Sequence, residues 1–465
     1  MTTYADQLDG IAALAAERCT TCGRCAEVCP TAREIGLDTA DAPALVRGLQ
    51  AITRDAAGGG EAARWAAACD GSGQCSAICP EGINVRQWVT IARLKSVEAS
   101  KAEAARQAAG AQRFRTMAQA VRLLASMQLP SELLSRILAP VETRRAEVLF
   151  YTGCNMLKTP HIVFNVMDLL DALKLDYDVV GGPSHCCGVL QFQEGDLPTY
   201  EKIGGRTFRR FGQSGAQQVL TWCPTCTKNF DELEADAAPP RFDMDHVSNF
   251  LLQHLETLKA QLVDQPPRRA VIHEHQGISG TLGSIRQLMQ AVPGLSLIEL
   301  PQDSGFSYAC GGSAARYVER ERAIHNQVAD GAAAVGADLL ITMYHSCHRA
   351  LAGAEARYPF QVKNFTDVLA EAIGRGGRAD YFKQYKKGGD MEEAVSAARR
   401  YLESNGVKIS PATVASLTDG IFGETSISGS SAPFRDAFTA LAREGGAAED
   451  ALAAPPAHTS EEGSF

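Results

Sequence analysis

The chain has no excess of positive charge, no long apolar run and no leader-like start, and each absence removes a class of function. Its 45 Lys and Arg are outnumbered by 54 Asp and Glu, for a formal net charge of −9. Tracking a phosphate backbone needs a basic surface, so no nucleic-acid partner is expected. No apolar stretch approaches the ~18 residues of a membrane span, so no transmembrane segment of its own is expected. The start, Met1-Thr-Thr-Tyr-Ala-Asp, lacks the basic and apolar regions of a secretory signal. Gly58–Gly60 and Gly311–Gly312 lack the strand–G-x-G-x-x-G–helix setting of a dinucleotide site. A flavin, if one is used, therefore belongs to a partner. Together these absences point to a cytoplasmic protein, with membrane association only through a separate partner.

Cysteine is abundant, with 14 in 465 residues. In a long chain without a leader, cysteines read as metal ligands in a reducing compartment rather than as disulfides. Nine of them fall into two patterns, Cys19-x2-Cys22-x2-Cys25-x3-Cys29-Pro30 and Cys154…Cys186-Cys187-Gly188…Cys223-Pro-Thr-Cys226. Thiolates are soft anionic ligands suited to iron–sulfur clusters.

The first pattern matches the bacterial ferredoxin run, in which three cysteines wrap one cube and the fourth, before Pro, reaches the other cluster. A second run, Cys69-Asp-Gly-Ser72-Gly-Gln-Cys75-Ser-Ala-Ile-Cys79-Pro80, repeats the spacing with Ser72 in the second position. Cys19, Cys22, Cys25 and Cys79 are thus expected to hold a [4Fe–4S] cluster. Cys29, Cys69 and Cys75, with Ser72, are expected to hold the other. The Ser-containing run resembles the three-iron run of the succinate dehydrogenase iron–sulfur subunit, which implies [3Fe–4S]. A [4Fe–4S] cube completed by a serine or water oxygen is the alternative there, and a zinc knuckle is a competing reading of the first run.

The length gives a prior of roughly three domains, and an apolar content of 45% supports sizeable cores. Residues 86–145 show helical periodicity, as in Met117–Ala125 and Leu133–Leu138. From 146 onward short apolar runs read as buried parallel strands: Glu147–Tyr151, Tyr177–Val180, Gln218–Thr221, Ala270–His273, Ser296–Leu300 and Asp338–Thr342. Helices alternate with them at Ile162–Leu173, Leu197–Gly212, His246–Leu262, Ser284–Ala291 and Ala315–Ala334, which implies α/β layers. The region is also repeated. Cys154 corresponds to Gln276, Cys186-Cys187-Gly188 to Ala309-Cys310-Gly311, and Cys223-x-x-Cys226 to Tyr344-x-x-Cys347, at shifts of 122, 123 and 121 residues. Asp390–Ser404 reads as a helix, and residues 445–465 read as disordered.

The five-cysteine pattern resembles the CCG domain of heterodisulfide reductase catalytic subunits. The same domain occurs in the iron–sulfur subunits of glycolate oxidase, lactate utilisation and anaerobic glycerol-3-phosphate dehydrogenase. The resemblance covers about residues 15–370 and includes the upstream two-cluster run. It implies an α/β fold class: an N-terminal helical two-cluster ferredoxin-like domain followed by two tandem α/β CCG domains, the second degenerate. The expected division is 1–95 for the ferredoxin-like part, 96–145 for a helical connector, 146–265 and 266–375 for the CCG domains, and 376–465 for a C-terminal extension. The resemblance further implies a noncubane [4Fe–4S] cluster on Cys154, Cys186, Cys187, Cys223 and Cys226, with Gly188 permitting the tight turn between adjacent cysteines. A thioredoxin-like pair is a competing reading of Cys223-x-x-Cys226. His185 could supply a proton to a leaving thiolate or simply bond to the loop backbone.

Two functions are compatible with these motifs. One is an oxidoreductase subunit in which electrons pass through the ferredoxin-type clusters to or from a five-cysteine site acting on a disulfide or thiol. A flavoprotein or other electron-transfer subunit, and a thiol substrate or carrier, would be its partners, in sulfur metabolism. The other is a relay subunit of a flavin-dependent dehydrogenase feeding quinone. The chain departs from the two-copy pattern at Gln276, Ala309 and Tyr344, which disfavours a second noncubane cluster. The remaining His273, His275, Cys310, His345, Cys347 and His348 could hold zinc or be packing residues of a degenerate half.

Overall fold

The computed structural model describes residues 3–55, 60–69, 71–130, 134, 144–234, 242–275, 277–278, 280–300, 318–388, 391–404 and 422. Two four-stranded parallel sheets form the middle of the chain. The first contains β1 (Val148–Gly153), β2 (Tyr177–Gly181), β3 (Gln218–Thr221) and β4 (Asp243–His246) in the order β2-β1-β3-β4. The second contains β5 (Arg268–His273), β6 (Leu295–Leu297), β7 (Leu339–Thr342) and β8 (Gln361–Asn364) in the order β6-β5-β7-β8. The two orders are the same, as the repeated motif spacing requires.

Local sequence accounts for most of these elements. All six residues of β1 are buried, as an inner parallel strand covered on both faces should be. Helix Pro160–Ala172 starts with Pro, whose missing N–H costs nothing at that position. It buries Ile162, Val166, Leu169 and Leu170 on one helical stripe. The edge strands β4 and β8 have no counterpart among the sequence expectations, because each contributes a single apolar side chain, Met244 or Val362. The helix expected over His246–Leu262 is two helices, Val247–Gln253 and Leu255–Lys259. His246 instead ends β4, and its ring accepts a hydrogen bond from the Ser248 N–H as a cap.

The N-terminal part is helical, as expected. Helix Val85–Ser100 runs through residue 95, and the chain turns extended at Lys101 before helix Glu103–Ser126. Of the expected helix at 133–138, all but Leu134 lies outside the described residues. So do Gln276, Ala309, Cys310 and the tail at 445–465. The helix expected from Asp390 is present at Met391–Ser404. Among the described residues, no helix is long and apolar enough to cross a membrane.

Two contacts position the functional region. Phe192, Leu197 and Tyr200, from the first sheet unit, join the same core as Leu8, Leu49, Trp65 and Trp88 of the N-terminal part. The two sheets also share one core, in which Phe150 and Leu220 of the first pack with Leu339 and Ile341 of the second. Trp222, just after β3, is fully buried and stacks on Phe365, just after β8, with centroids 5.6 Å apart and planes at 6°. Its indole N–H donates to His345 Nδ1 at 3.1 Å. Trp222→Ala is expected to destabilise the paired sheets by about 3–5 kcal/mol, visible as a lower denaturant midpoint in urea unfolding followed by circular dichroism.

Candidate iron–sulfur centres

The two N-terminal runs fold alike. Gly23 and Gly73 both take φ of 82°, and each opens a one-turn helix that carries the next cysteine, Cys25 or Cys75. A left-handed turn there lets the loop wrap back on itself, and only glycine adopts it without strain. Cys19, Cys22, Cys25 and Cys79 line one pocket, with Trp88 in its wall. Cys25 is buried, Cys19 and Cys79 are half-buried, and Cys22 is exposed. Burial, then the neighbouring Cys19 and Cys22, push the Cys25 thiol up to about 12.

The second group gathers in the same way. Burial, followed by the proximity of Cys69 and Cys29, pushes the Cys75 thiol up. The Trp65 indole N–H donates to Cys29 Sγ at 3.3 Å, and Arg93 donates to the Cys69 carbonyl at 3.4 Å. Each ferredoxin-type group thus draws one cysteine from the other run, Cys79 or Cys29, as the Cys-Pro rule predicts.

The five-cysteine group sits where a parallel sheet places its ligand sites, at the carboxyl ends of strands beside the point where strand order reverses. Cys154 follows β1, Cys186-Cys187 follows β2, and Cys223-x-x-Cys226 follows β3. Their side chains form one continuous hydrogen-bonded series, 154–186–187–226–223. Cys154, Cys186, Cys187 and Cys226 are buried, and Cys223 is half-buried. Hydrogen bonding to its neighbours, then burial, pushes the Cys186 and Cys226 thiols up. The same contacts hold Cys187 and Cys223 down. Such crowding suits thiolates only around metal cations. Among the described residues, no set of three cysteine sulfurs lies within 4.8 Å of one another as a single-ion site would need. Five sulfurs exceed the four ligands of a zinc site and suit a multi-iron cluster.

Several donors face these sulfurs. Asn229 Nδ2 lies 3.5 Å from Cys187 Sγ, Asn155 Nδ2 3.7 Å from Cys154 Sγ, and the Gly188 N–H 3.4 Å from Cys186 Sγ. The Tyr151 hydroxyl lies 3.8 Å from Cys226 Sγ and donates to the His185 carbonyl at 2.8 Å. None of the three side-chain donors was legible in the sequence. Asn155 and Asn229 stand one and three residues from a cysteine, which is at best a weak signal.

His185 does not have the setting of a proton donor. It is 2% exposed, its Nδ1 faces the Gly181 carbonyl at 3.0 Å, and Arg210 donates to its Nε2 at 2.9 Å. Burial lowers its pKa to about 4, opposed by the Gly181 bond. The neutral ring donates its one N–H, on Nδ1, to the Gly181 carbonyl and accepts from Arg210 at Nε2, so it braces the loop in this arrangement.

The second half has no matching sulfur series among the described residues. At its strand ends Tyr344 is fully buried between the rings of His246 and His275, and His275 Nδ1 faces Cys347 Sγ at 3.2 Å. The histidines expected to share a zinc are dispersed: His273 faces His325, His345 accepts from Trp222, and His348 meets Asp380. Gly277 packs so closely on Pro224, inside the Cys223-x-x-Cys226 turn, that a Cβ would come within 2.7 Å of Pro224 Cγ.

Comparison with known proteins agrees with this geometry. The 4Fe-4S dicluster domain family matches residues 15–83, and the cysteine-rich domain family matches residues 148–231 and 278–352. The chain therefore joins a 4Fe-4S dicluster domain to a duplicated cysteine-rich domain. A dihydromethanophenazine:CoB–CoM heterodisulfide reductase polypeptide of Methanosarcina mazei is 23% identical over 251 residues, 50% of this chain and 60% of that protein. The Methanosarcina barkeri protein of the same name is 22% identical over 249 residues, again 50% of this chain and 60% of that protein. An anaerobic glycerol-3-phosphate dehydrogenase polypeptide of Escherichia coli is 31% identical over 90 residues, 19% of this chain and 22% of that one. The chain is a heterodisulfide reductase-like iron–sulfur protein, aligned over 60% of the length of the reductase polypeptides it matches.

Gly188 gives a direct test of the five-cysteine group. Its φ is 82°, and a Cβ there would come within 2.9 Å of the Tyr200 ring and 3.0 Å of the Tyr200 carbonyl. Gly188→Ala is expected to lose the iron of this group while the N-terminal iron stays, read by iron analysis together with EPR of the reduced protein.

Proposed function

We propose that the chain is an oxidoreductase subunit in which electrons pass between two ferredoxin-type clusters and a five-cysteine site that acts on a thiol or disulfide. In this reading Cys19, Cys22, Cys25 and Cys79 hold one cube. Cys29, Cys69 and Cys75, with Ser72, hold a three-iron cluster, and Cys154, Cys186, Cys187, Cys223 and Cys226 hold the noncubane one. Bound there, iron–sulfur clusters supply one-electron chemistry.

The observation that carries the reading is how the second ferredoxin-type group meets the five-cysteine group. Helix Pro224–Glu234 begins inside the Cys223-x-x-Cys226 turn. Its Lys228 donates to the Gly71 carbonyl, next to Ser72, at 2.6 Å. Its Glu232 pairs with Arg86, a buried cation beside Cys69 and Cys75. One helix thus touches both groups, and the exchange of Cys29 and Cys79 ties the remaining cube to the second ferredoxin-type group. This order suits entry of electrons from a flavoprotein at the exposed Cys22 and their use at the half-buried Cys223. Asn229 and Asn155 hydrogen-bond the sulfurs and Tyr151 packs its hydroxyl beside Cys226, which tunes the potential of what they hold. A cytoplasmic protein, attached to membrane only through a partner, fits this role.

A second reading has an observation of its own. Tyr344, His275 and Cys347 occupy the end of the second sheet with packed side chains, so among the described residues only one half offers a five-sulfur site. A relay subunit of a flavin-dependent dehydrogenase needs no more than that.

EPR of the anaerobically purified full-length protein, oxidised with and without added thiols, separates the two. A paramagnetic state that appears only with thiol is expected for thiol or disulfide chemistry. Spectra indifferent to every thiol assign the relay role. The oxidised protein is also expected to show a three-iron signal, and Ser72→Cys to abolish it with a gain of iron.

A further inference from the structure

Away from the cysteines, four titratable side chains from four elements meet where the two sheet units and the C-terminal segment join. His161 stands in the first turn of helix Pro160–Ala172, and His348 in helix His345–Leu351. Asp367 stands in the first turn of helix Phe365–Ala372, and Asp380 caps helix Tyr381–Lys386. His161 is 2% exposed, and neither of its ring nitrogens has a hydrogen-bond partner. Its Nε2 lies 3.8 Å from Asp367 Oδ1 and its Nδ1 3.6 Å from Asp380 Oδ1. Leaving a buried polar group unpaired costs about 1–3 kcal/mol, so such a ring needs an explanation.

One donor atom each from His161, His348 and Asp367 lies within 4.8 Å of the others. Ligands around a tetrahedral zinc at ~2.0–2.1 Å stand about 3.4 Å apart. The distance from His161 Nε2 to Asp367 exceeds that by only a few tenths of an ångström, while Nδ1, on the other side of the ring, faces Asp380. The surrounding bonds are those that orient metal ligands. His348 Nδ1 faces Thr342 Oγ1 at 3.3 Å, Asp367 Oδ2 accepts from the Asn364 N–H at 2.7 Å, and Asp380 Oδ1 accepts from the Lys383 N–H at 3.0 Å. His348 Nε2 meets Asp380 Oδ2 at 2.7 Å, a shared proton that a cation would displace. Two neutral imidazoles and two carboxylates balance a divalent ion, and the set contains no sulfur.

We propose that His161, His348 and Asp367, with Asp380 beside them, form a site for one zinc ion separate from the iron–sulfur centres. The ion ties the helix after Cys154 to the degenerate half and to the C-terminal segment. It also answers the unpaired His161 ring.

The test uses full-length, cluster-loaded protein given a small excess of Zn2+ and then desalted anaerobically. Zinc is expected at about one per chain, with X-ray absorption at the zinc edge showing only nitrogen and oxygen neighbours near the usual ~2.0–2.2 Å. His161→Gln is expected to weaken zinc binding at least tenfold while iron content and the visible spectrum stay unchanged. Three results would overturn the site: no retained zinc, zinc with sulfur neighbours, or zinc unaffected in a His161→Gln protein that keeps its iron. If that variant loses its iron by misfolding, the absorption spectrum of the unaltered protein decides alone.

Discussion

Crowding thiolates in a dry interior is unfavourable unless cations share the space, and the architecture around the five-cysteine group follows from that constraint. Like charges in low dielectric repel strongly, and burial disfavours every thiolate. The protein still brings Cys154, Cys186, Cys187, Cys226 and Cys223 into one continuous series. The strand order β2-β1-β3 makes this possible by carrying three loops to one edge of one sheet. Amide and hydroxyl donors from Asn155, Asn229 and Tyr151 then face the sulfurs. The gathering of these cysteines and the fold are therefore a single arrangement, because the cysteines lie on loops whose ends the sheet fixes.

Duplication explains the remainder of the middle region. The second sheet keeps the strand order of the first and shares its core through Trp222 and Phe365. Where the first half presents sulfur, the described part of the second presents Tyr344, His275 and Cys347, with Gly277 packed against the Pro224 turn. The described part of the second half thus forms a wall against the Cys223-x-x-Cys226 turn of the first. The small residue at Gly277 is what lets that wall approach so closely.

The cysteine registers were readable because ligand spacing is a local property. Cys19 through Cys29, and Cys69 through Cys79, specify a wrapping loop whatever surrounds them, and the exchange of Cys29 and Cys79 between groups follows from the same run. The inner strands were readable as well, since β1 and β7 are mostly apolar runs and β3 carries the buried pair Val219 and Leu220. Strands β4 and β8 were not, because an edge strand of four residues with one apolar side chain has no period to detect. The break at His254 was hidden for a similar reason, as helical periodicity continues across it.

The sequence by itself determined how the cysteines are spaced, that the sheets are parallel and duplicated, and that the second copy departs from the five-cysteine pattern at Gln276, Ala309 and Tyr344. These are matters of spacing and hydrophobic period, which the chain carries locally. Only the tertiary structure decided that His185 is locked between Gly181 and Arg210, that Tyr151 and Asn229 reach the sulfurs, and that His161 meets His348, Asp367 and Asp380. Those partners are 25 to 219 residues apart in places, and no local pattern encodes a contact made by packing one helix layer against another.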